Sequence, residues 1–219
     1  MIVAIDGPAG SGKSSTAKEI ARQLNWLYLD TGAMYRAITF YFIQNDISYS
    51  YDANYTDTLK DININLINES SQKVYLNEQD ISKEIRSTEV TRFVSTISTI
   101  PEVREFCVSM QRQIAQDSNV VIEGRDIGTK VFPNAEVKIY LTASVEERAK
   151  RRFNELDSEE TITFEELIED IKLRDQKDSN RKISPLKIAK DATVIDTSGM
   201  DFNQQITKIR KHIENSISI

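Results

Sequence analysis

The chain opens on an uninterrupted apolar run, Ile2-Val3-Ala4-Ile5, closed by Asp6. A run without alternation predicts a strand covered on both faces, as in a parallel sheet. Residues 13–24 place Ala17, Ile20, Ala21 and Leu24 at helical spacing, which predicts an amphipathic helix. Trp26-Leu27-Tyr28-Leu29 predicts a second strand ending at Asp30. Thr31-Gly32 reads as a turn with Thr31 as the cap of a helix over 33–43. Strand, helix, strand, helix predicts an α/β architecture with right-handed crossovers. In such a sheet, ligands gather at the carboxyl ends of the strands, where Gly7, Asp30 and Thr31 fall.

From residue 47 the pattern changes. Tyr, Asn, Asp and Ser dominate to residue 61; residues 62–66 then alternate with period two. Residues 68–72 read as a turn and 73–76 as a returning strand, so a small antiparallel subdomain is inserted in the core. Val90, Phe93, Val94 and Ile97 mark a short amphipathic helix, and Pro101 suits the first position of the next. Val103, Phe106, Cys107, Met110 and Ile114 make that helix long and one-sided, with Cys107 a core thiol.

Val120-Val121-Ile122 predicts a buried strand running into Glu123-Gly124-Arg125-Asp126, and residues 137–141 another. Ser144-Val145-Glu146-Glu147 reads as a capping box opening a helix that carries Arg148, Arg151 and Arg152. An acidic loop at 157–160 leads to a helix start at Thr163, with Phe164, Leu167, Ile168 and Ile171 facing inward. That helix runs into a charged stretch, 174–182, ended near Pro185. Two helices joined by a polar loop suit a mobile lid. Thr193-Val194-Ile195-Asp196 is the last strand, and Phe202, Ile206, Ile209 and Ile213 stripe a closing helix. The division expected is one unit with a core of 1–46, 88–144 and 183–219, an insertion over 47–87 and a lid over 145–182.

Composition narrows the chemistry. At 219 residues, 39% hydrophobic and 28% charged, this is one large soluble domain, or a core with insertions. A net charge of −6 argues against a duplex nucleic-acid binder, which needs a basic stripe. Cys107 is the single cysteine, so no internal disulfide or multi-cysteine metal site can form, which fits a reducing cytoplasm. His212 is the single histidine and reads as a solvated surface residue, which excludes a histidine-dependent triad unless it serves there. No signal peptide or membrane span is expected. A monomer is expected, because no spare apolar stripe is evident.

Between the first strand and first helix lies Gly7-Pro8-Ala9-Gly10-Ser11-Gly12-Lys13-Ser14-Ser15, a G-x-x-x-x-G-K-S loop in the context the motif requires. Successive N–H groups and the helix N-terminus behind them form a concavity for phosphate. Lys13 would reach the β/γ-phosphates, and Ser14 would offer its hydroxyl to Mg2+. The loop alone does not separate kinase from ATPase or GTPase. Arg36, Arg104, Arg125, Arg174 and Arg181 lie on segments able to end near it, with Arg148 and Arg152 on the lid. Guanidinium forks match phosphate and stay charged. Such a set around one phosphate loop points to two phosphorylated ligands face to face, and phosphoryl transfer needs alignment and charge neutralisation rather than a covalent nucleophile. A GTPase-like switch would need an N-K-x-D stretch; none is present, although residues 196–199 match D-x-x-G. A kinase of another small acceptor is the nearer alternative.

Together, residues 7–15, Asp30-Thr31-Gly32-Ala33-Met34-Tyr35-Arg36, Glu123-Gly124-Arg125-Asp126-Ile127-Gly128-Thr129, Val131-Phe132-Pro133 and Arg174-Asp175 with Asp178-Ser179-Asn180-Arg181 resemble bacterial cytidylate kinases over nearly the whole chain. The resemblance implies a P-loop nucleoside monophosphate kinase fold. That fold is a five-stranded parallel sheet flanked by helices, with a small antiparallel NMP-binding insertion and a helical lid. It also implies transfer of the ATP γ-phosphoryl group to CMP or dCMP with Mg2+. Carried onto this chain, it places Thr31, Tyr35 and Arg36 at the monophosphate, joined by Arg125 and Arg181. Ser95, Arg104 and Asp126 would read the cytosine edge, and Arg174 and Asp178 would hold the ribose hydroxyls. Arg148 and Arg152 would come down over ATP. A carboxylate at Asp126 suits cytosine, since it accepts from the exocyclic amine and repels the uracil carbonyl. Thr31 stands where many relatives carry serine, and it keeps the hydroxyl.

Overall fold

The computed structural model describes residues 1–50, 53–68, 72–155 and 162–217. The turn expected at 68–72 lies partly outside the described residues, and the acidic loop at 157–160 lies wholly outside them. Contacts divide the chain into two units: Met1–Tyr28 with Ser118–Ile219, and Leu29–Asp117.

The first unit is built on a parallel sheet. Its strands are β1 (Ile2–Asp6), β2 (Leu27–Asp30, within which the division falls), β6 (Val120–Gly124), β7 (Val137–Thr142) and β8 (Thr193–Asp196), in the order β2-β6-β1-β7-β8. The central strand β1 sets Ile5 beside Glu123 and Ile139, so Asp6, Glu123 and Gly124 end at one edge. Helices α1 (Lys13–Leu24) and α8 (Phe202–Ile217) pack Ala17, Ile20, Ile206, Ile209 and Ile213 onto Val3, Ile5, Val121 and Ile139. Helices α6 (Val145–Phe153) and α7 (Phe164–Asn180) close a satellite core of Ala149, Leu167 and Ile171, with Phe164 and Ile168 partly buried against it. Both carry side-chain caps: Ser144 accepts from the Glu147 amide, and Thr163 forms a full capping box with Glu166.

The second unit holds α2 (Thr31–Gln44), α3 (Thr56–Lys60), α4 (Thr88–Ile97) and α5 (Pro101–Ala115), with a three-stranded antiparallel sheet. Its strands are β3 (Ile64–Asn68), β4 (Gln72–Leu76) and β5 (Gln79–Asp80). The hairpin from β4 to β5 turns at Asn77 and Glu78, both at positive φ (46° and 70°). The alternating run was expected at 62–66; pairing begins instead at Ile64, and Ile62 is buried ahead of it.

Three local expectations are corrected. Asp30, not Thr31, caps α2: its Oδ1 accepts from the Ala33 amide at 3.0 Å, and Thr31 is the first helical residue. Phe93 and Phe202, expected on inward stripes, are 46% and 47% exposed: Phe93 lies to one side of the stripe that Val90, Val94 and Ile97 fill, and Phe202 is the first residue of α8, a full turn ahead of the buried Ile206. His212 is half-buried rather than fully solvated. Cys107 is wholly buried, and burial pushes its thiol far above the ordinary range, which keeps it protonated.

Candidate active site

The phosphate loop spans the step from β1 to α1. Gly12 caps α1 at φ 84°, a left-handed conformation that suits glycine. Gly7, at φ 151°, lies so close to the Leu141 carbonyl that a Cβ there would collide with backbone. Gly7, Pro8 and Ala9 are buried, Gly10 and Gly12 half-buried, and Ser14 and Ser15 exposed on the first turn of α1. The Ser11 hydroxyl is wholly buried and has no hydrogen-bond partner among the described residues, so the loop interior keeps polar capacity for a ligand.

Lys13 is 5% exposed, and its Nζ donates to the Pro8 carbonyl at 2.7 Å. Burial, with help from Arg125, lowers its ammonium to about 7; Glu123, Asp6 and Asp178 pull the other way. Burial outweighs these carboxylates, so an anion brought into the loop would favour the charged form of Lys13. Glu123 is buried and accepts from the Tyr28 hydroxyl at 2.9 Å.

Around this lysine the first unit gathers much of the set expected from sequence. Arg125 Nε donates to Asp178 Oδ2 at 3.0 Å. Burial alone would raise the Asp178 carboxyl, but Arg125, Arg174 and Arg181 together hold it below its ordinary value. The Arg181 guanidinium lies 3.9 Å from Asp126 Oδ1, both side chains being buried, and its Nε donates to the Ser184 carbonyl. Arg174 and Asp178 are four apart on α7, so they share a face. Lys13, Arg125, Asp126, Arg174, Asp178 and Arg181 thus form one polar cluster at the carboxyl edge of the sheet.

Arg148 is 3% exposed and fully engaged: it donates to the Ala143 and Ala9 carbonyls at 3.0 and 3.1 Å and pairs bidentately with Asp175 at 3.0 and 2.7 Å. Arg152 is half-buried. Three residues that sequence reasoning did not assign also touch this region. Arg151 donates to the Ser11 carbonyl at 3.3 Å and to Thr197, Asp175 anchors Arg148, and Asp6 closes β1. The signal available was position alone: Arg151 follows Arg148 by one turn, and Asp6 ends the strand before the loop.

The second unit carries the remaining expected residues. Tyr35 is buried, with the Arg104 guanidinium 5.6 Å from its ring centroid. Arg104 also donates to the Ser98 carbonyl at 3.3 Å. Arg36 donates to Thr91 Oγ1 at 2.8 Å and to the Ile85 carbonyl at 3.3 Å. Thr31 is buried at the start of α2, and Ser95 is half-buried on α4.

Known proteins resemble this chain over nearly its whole length. Residues 3–215 match the family model for cytidylate kinase. A cytidylate kinase of Fusobacterium nucleatum is 47% identical over 215 residues, 98% of this chain and 97% of that protein. A bifunctional pantoate ligase/cytidylate kinase of Prochlorococcus marinus is 53% identical over 212 residues; they are 95% of this chain but only 42% of that longer protein. Among solved structures, a shikimate kinase of Bacteroides thetaiotaomicron aligns over 100% of this chain and 99% of its own at TM-score 0.51 and 15% identity, a likeness of fold. A P-loop in a parallel sheet, a small antiparallel sheet beside it in sequence and near-full-length similarity converge: the chain belongs to the cytidylate kinase family of nucleoside monophosphate kinases.

Proposed function

We propose that the chain transfers the γ-phosphoryl group of ATP to CMP or dCMP in a direct, in-line step, giving ADP and CDP or dCDP. The observation that carries this is the cluster in which a buried lysine of the phosphate loop, lowered to about 7, shares its surroundings with Arg125, Arg181 and Asp178. Charge is concentrated where a polyanion reacts, and no covalent nucleophile is needed.

On this reading residues 7–15 bind the ATP phosphates through main-chain amides, and Lys13 neutralises charge at the β/γ-phosphates. Arg148, which donates to the Ala9 carbonyl of the loop, is assigned to the donor side, with Arg152 from the same helix. The Ser14 hydroxyl, exposed on the first turn of α1, is the group of this chain that would hold a Mg2+ ion, which would supply Lewis-acid neutralisation of phosphate charge. In the first unit Arg125 and Arg181 are assigned to the acceptor phosphate, Asp126 to the cytosine amine, and Arg174 and Asp178 to the ribose. In the second, Thr31, Tyr35 and Arg36 are assigned to the monophosphate, and Ser95 and Arg104 to the base. Residues 145–182 are assigned to a lid whose closure excludes water from the reacting phosphoryl group.

A steady-state screen of the four ribonucleoside monophosphates with MgATP tests the reading. ADP formation should depend on CMP and respond little to AMP or GMP. Folded protein with no CMP-stimulated turnover would overturn it.

A further inference from the structure

Asp6 does something that its place before the phosphate loop does not require. After β6 the chain passes through Arg125 and Asp126 into one turn of π-helix, Ile127–Val131. The later amides of this segment are satisfied locally: Lys130 and Val131 donate to the Asp126 carbonyl, and Phe132 to the Ile127 carbonyl. The first amides of any helical turn lack such partners. Here they are met from across the sheet: Ile127 N donates to Asp6 Oδ1 and Gly128 N to Asp6 Oδ2, each at 2.8 Å. Asp6 and Ile127 are 5% and 1% exposed, so water does not compete. Gly128 leaves little slack, since a Cβ there would lie 3.1 Å from the Lys138 side chain and 3.4 Å from Asp6 Oδ2. Lys138 is itself fixed by the Pro133 carbonyl and by Asp191.

We infer that Asp6 is a positioning residue: its carboxylate locks the turn after Asp126 to the strand that carries the phosphate loop, and so sets Arg125 and Asp126 at a fixed distance from Lys13. A carboxylate bridging two adjacent amides fixes both position and rotation of the turn, which a single hydrogen bond does not. Burial raises the Asp6 carboxyl to about 6, a cost that the Gly128 and Ile127 amides partly offset; the Asp126 charge adds to it and Lys13 opposes it. Retention of a costly buried carboxylate accords with a task that a neutral side chain would do less well. The inference rests on the assignment of Arg125 and Asp126 to the acceptor.

Asp6→Asn tests it, because an amide can accept from one of the two N–H groups but presents its own donors to the other. The preference for CMP over UMP, taken as the ratio of kcat/KM values, should fall about 10- to 100-fold as Asp126 loses register. ADP affinity should fall by a smaller factor than this ratio, since the loop amides are untouched and Lys13 loses only one of the three carboxylates that support its charge, a charge the bound polyphosphate itself restores. Should that variant fail to fold, Gly128→Ala displaces the turn from the other side and should lower the same ratio. A preserved CMP/UMP ratio in the folded variant, or ADP and CMP affinities falling by the same factor, would overturn the inference. Wild-type protein with no preference for CMP over UMP would instead remove the assignment of Asp126 beneath it.

Discussion

At the scale of single residues, Lys13 makes the sharpest prediction. Its ammonium falls from 10.5 in the unfolded reference to about 7 in the fold, chiefly through burial. The folded chain therefore binds this proton less tightly than the unfolded chain, and between those two values stability rises with pH. A bound polyphosphate supplies the missing negative charge and draws the proton back. ADP binding at pH 8 should thus take up protons, visible in calorimetry across buffers of different ionisation enthalpy, and should weaken from pH 7 to 9. Lys13→Ala should abolish that uptake and lower turnover at least about 100-fold, as loss of a fixed transition-state charge does. Asp126→Ala should raise the KM for CMP far more than that for ATP; equal losses for both ligands would refute its assignment to the base. Lys13 was legible in the sequence because every determinant of the loop lies within nine consecutive residues, 7–15. The Arg125–Asp178 pair was not legible from pattern, because it depends on where α7 comes to rest; only the family resemblance placed those residues together. Asp30 and Thr31 are both good caps, so nothing local chose between them.

At the scale of elements, α7 joins two tasks. Its first turn is secured by the Thr163–Glu166 capping box, its middle packs Leu167 and Ile171 against Ala149, and its last turns carry Arg174, Asp175 and Asp178. Thr163→Ala should cost about 1 kcal/mol, as cap removal commonly does. Hydrogen exchange should quicken in the first turn of α7, while kcat stays within about twofold because the charged end is anchored separately through Asp175 and Asp178. An equal loss of kcat and helix protection would show the two ends to be coupled. Most strands and helices here were readable from apolar periodicity. The errors fell where periodicity is weakest: β5 has two residues, both exposed, and Phe93 and Phe202 are large apolar residues on solvent-facing turns.

At the scale of the molecule, the sheet of the first unit sets a buried interior strand against an exposed edge. Ile139 is 1% exposed on β7, between β1 and β8, whereas Val194 on the edge strand β8 is 51% exposed. Ile139→Ala should cost about 2–5 kcal/mol through lost burial and a cavity. Val194→Thr should stay within about 0.5 kcal/mol. Thermal unfolding of the two variants side by side checks the contrast; similar midpoints would contradict this account of the core. The sheet itself is assembled from two distant stretches, since β1 takes its neighbours from β6 and β7, Ile2 lying beside Val120. On the ribosome this has a consequence for order. The opening strand must wait, without lateral hydrogen-bonding neighbours, until residues 120–142 have left the exit tunnel, while the intervening stretch is already free to acquire structure. Nascent chains stalled before that point should show protease-sensitive phosphate loops, and those stalled well beyond it should not.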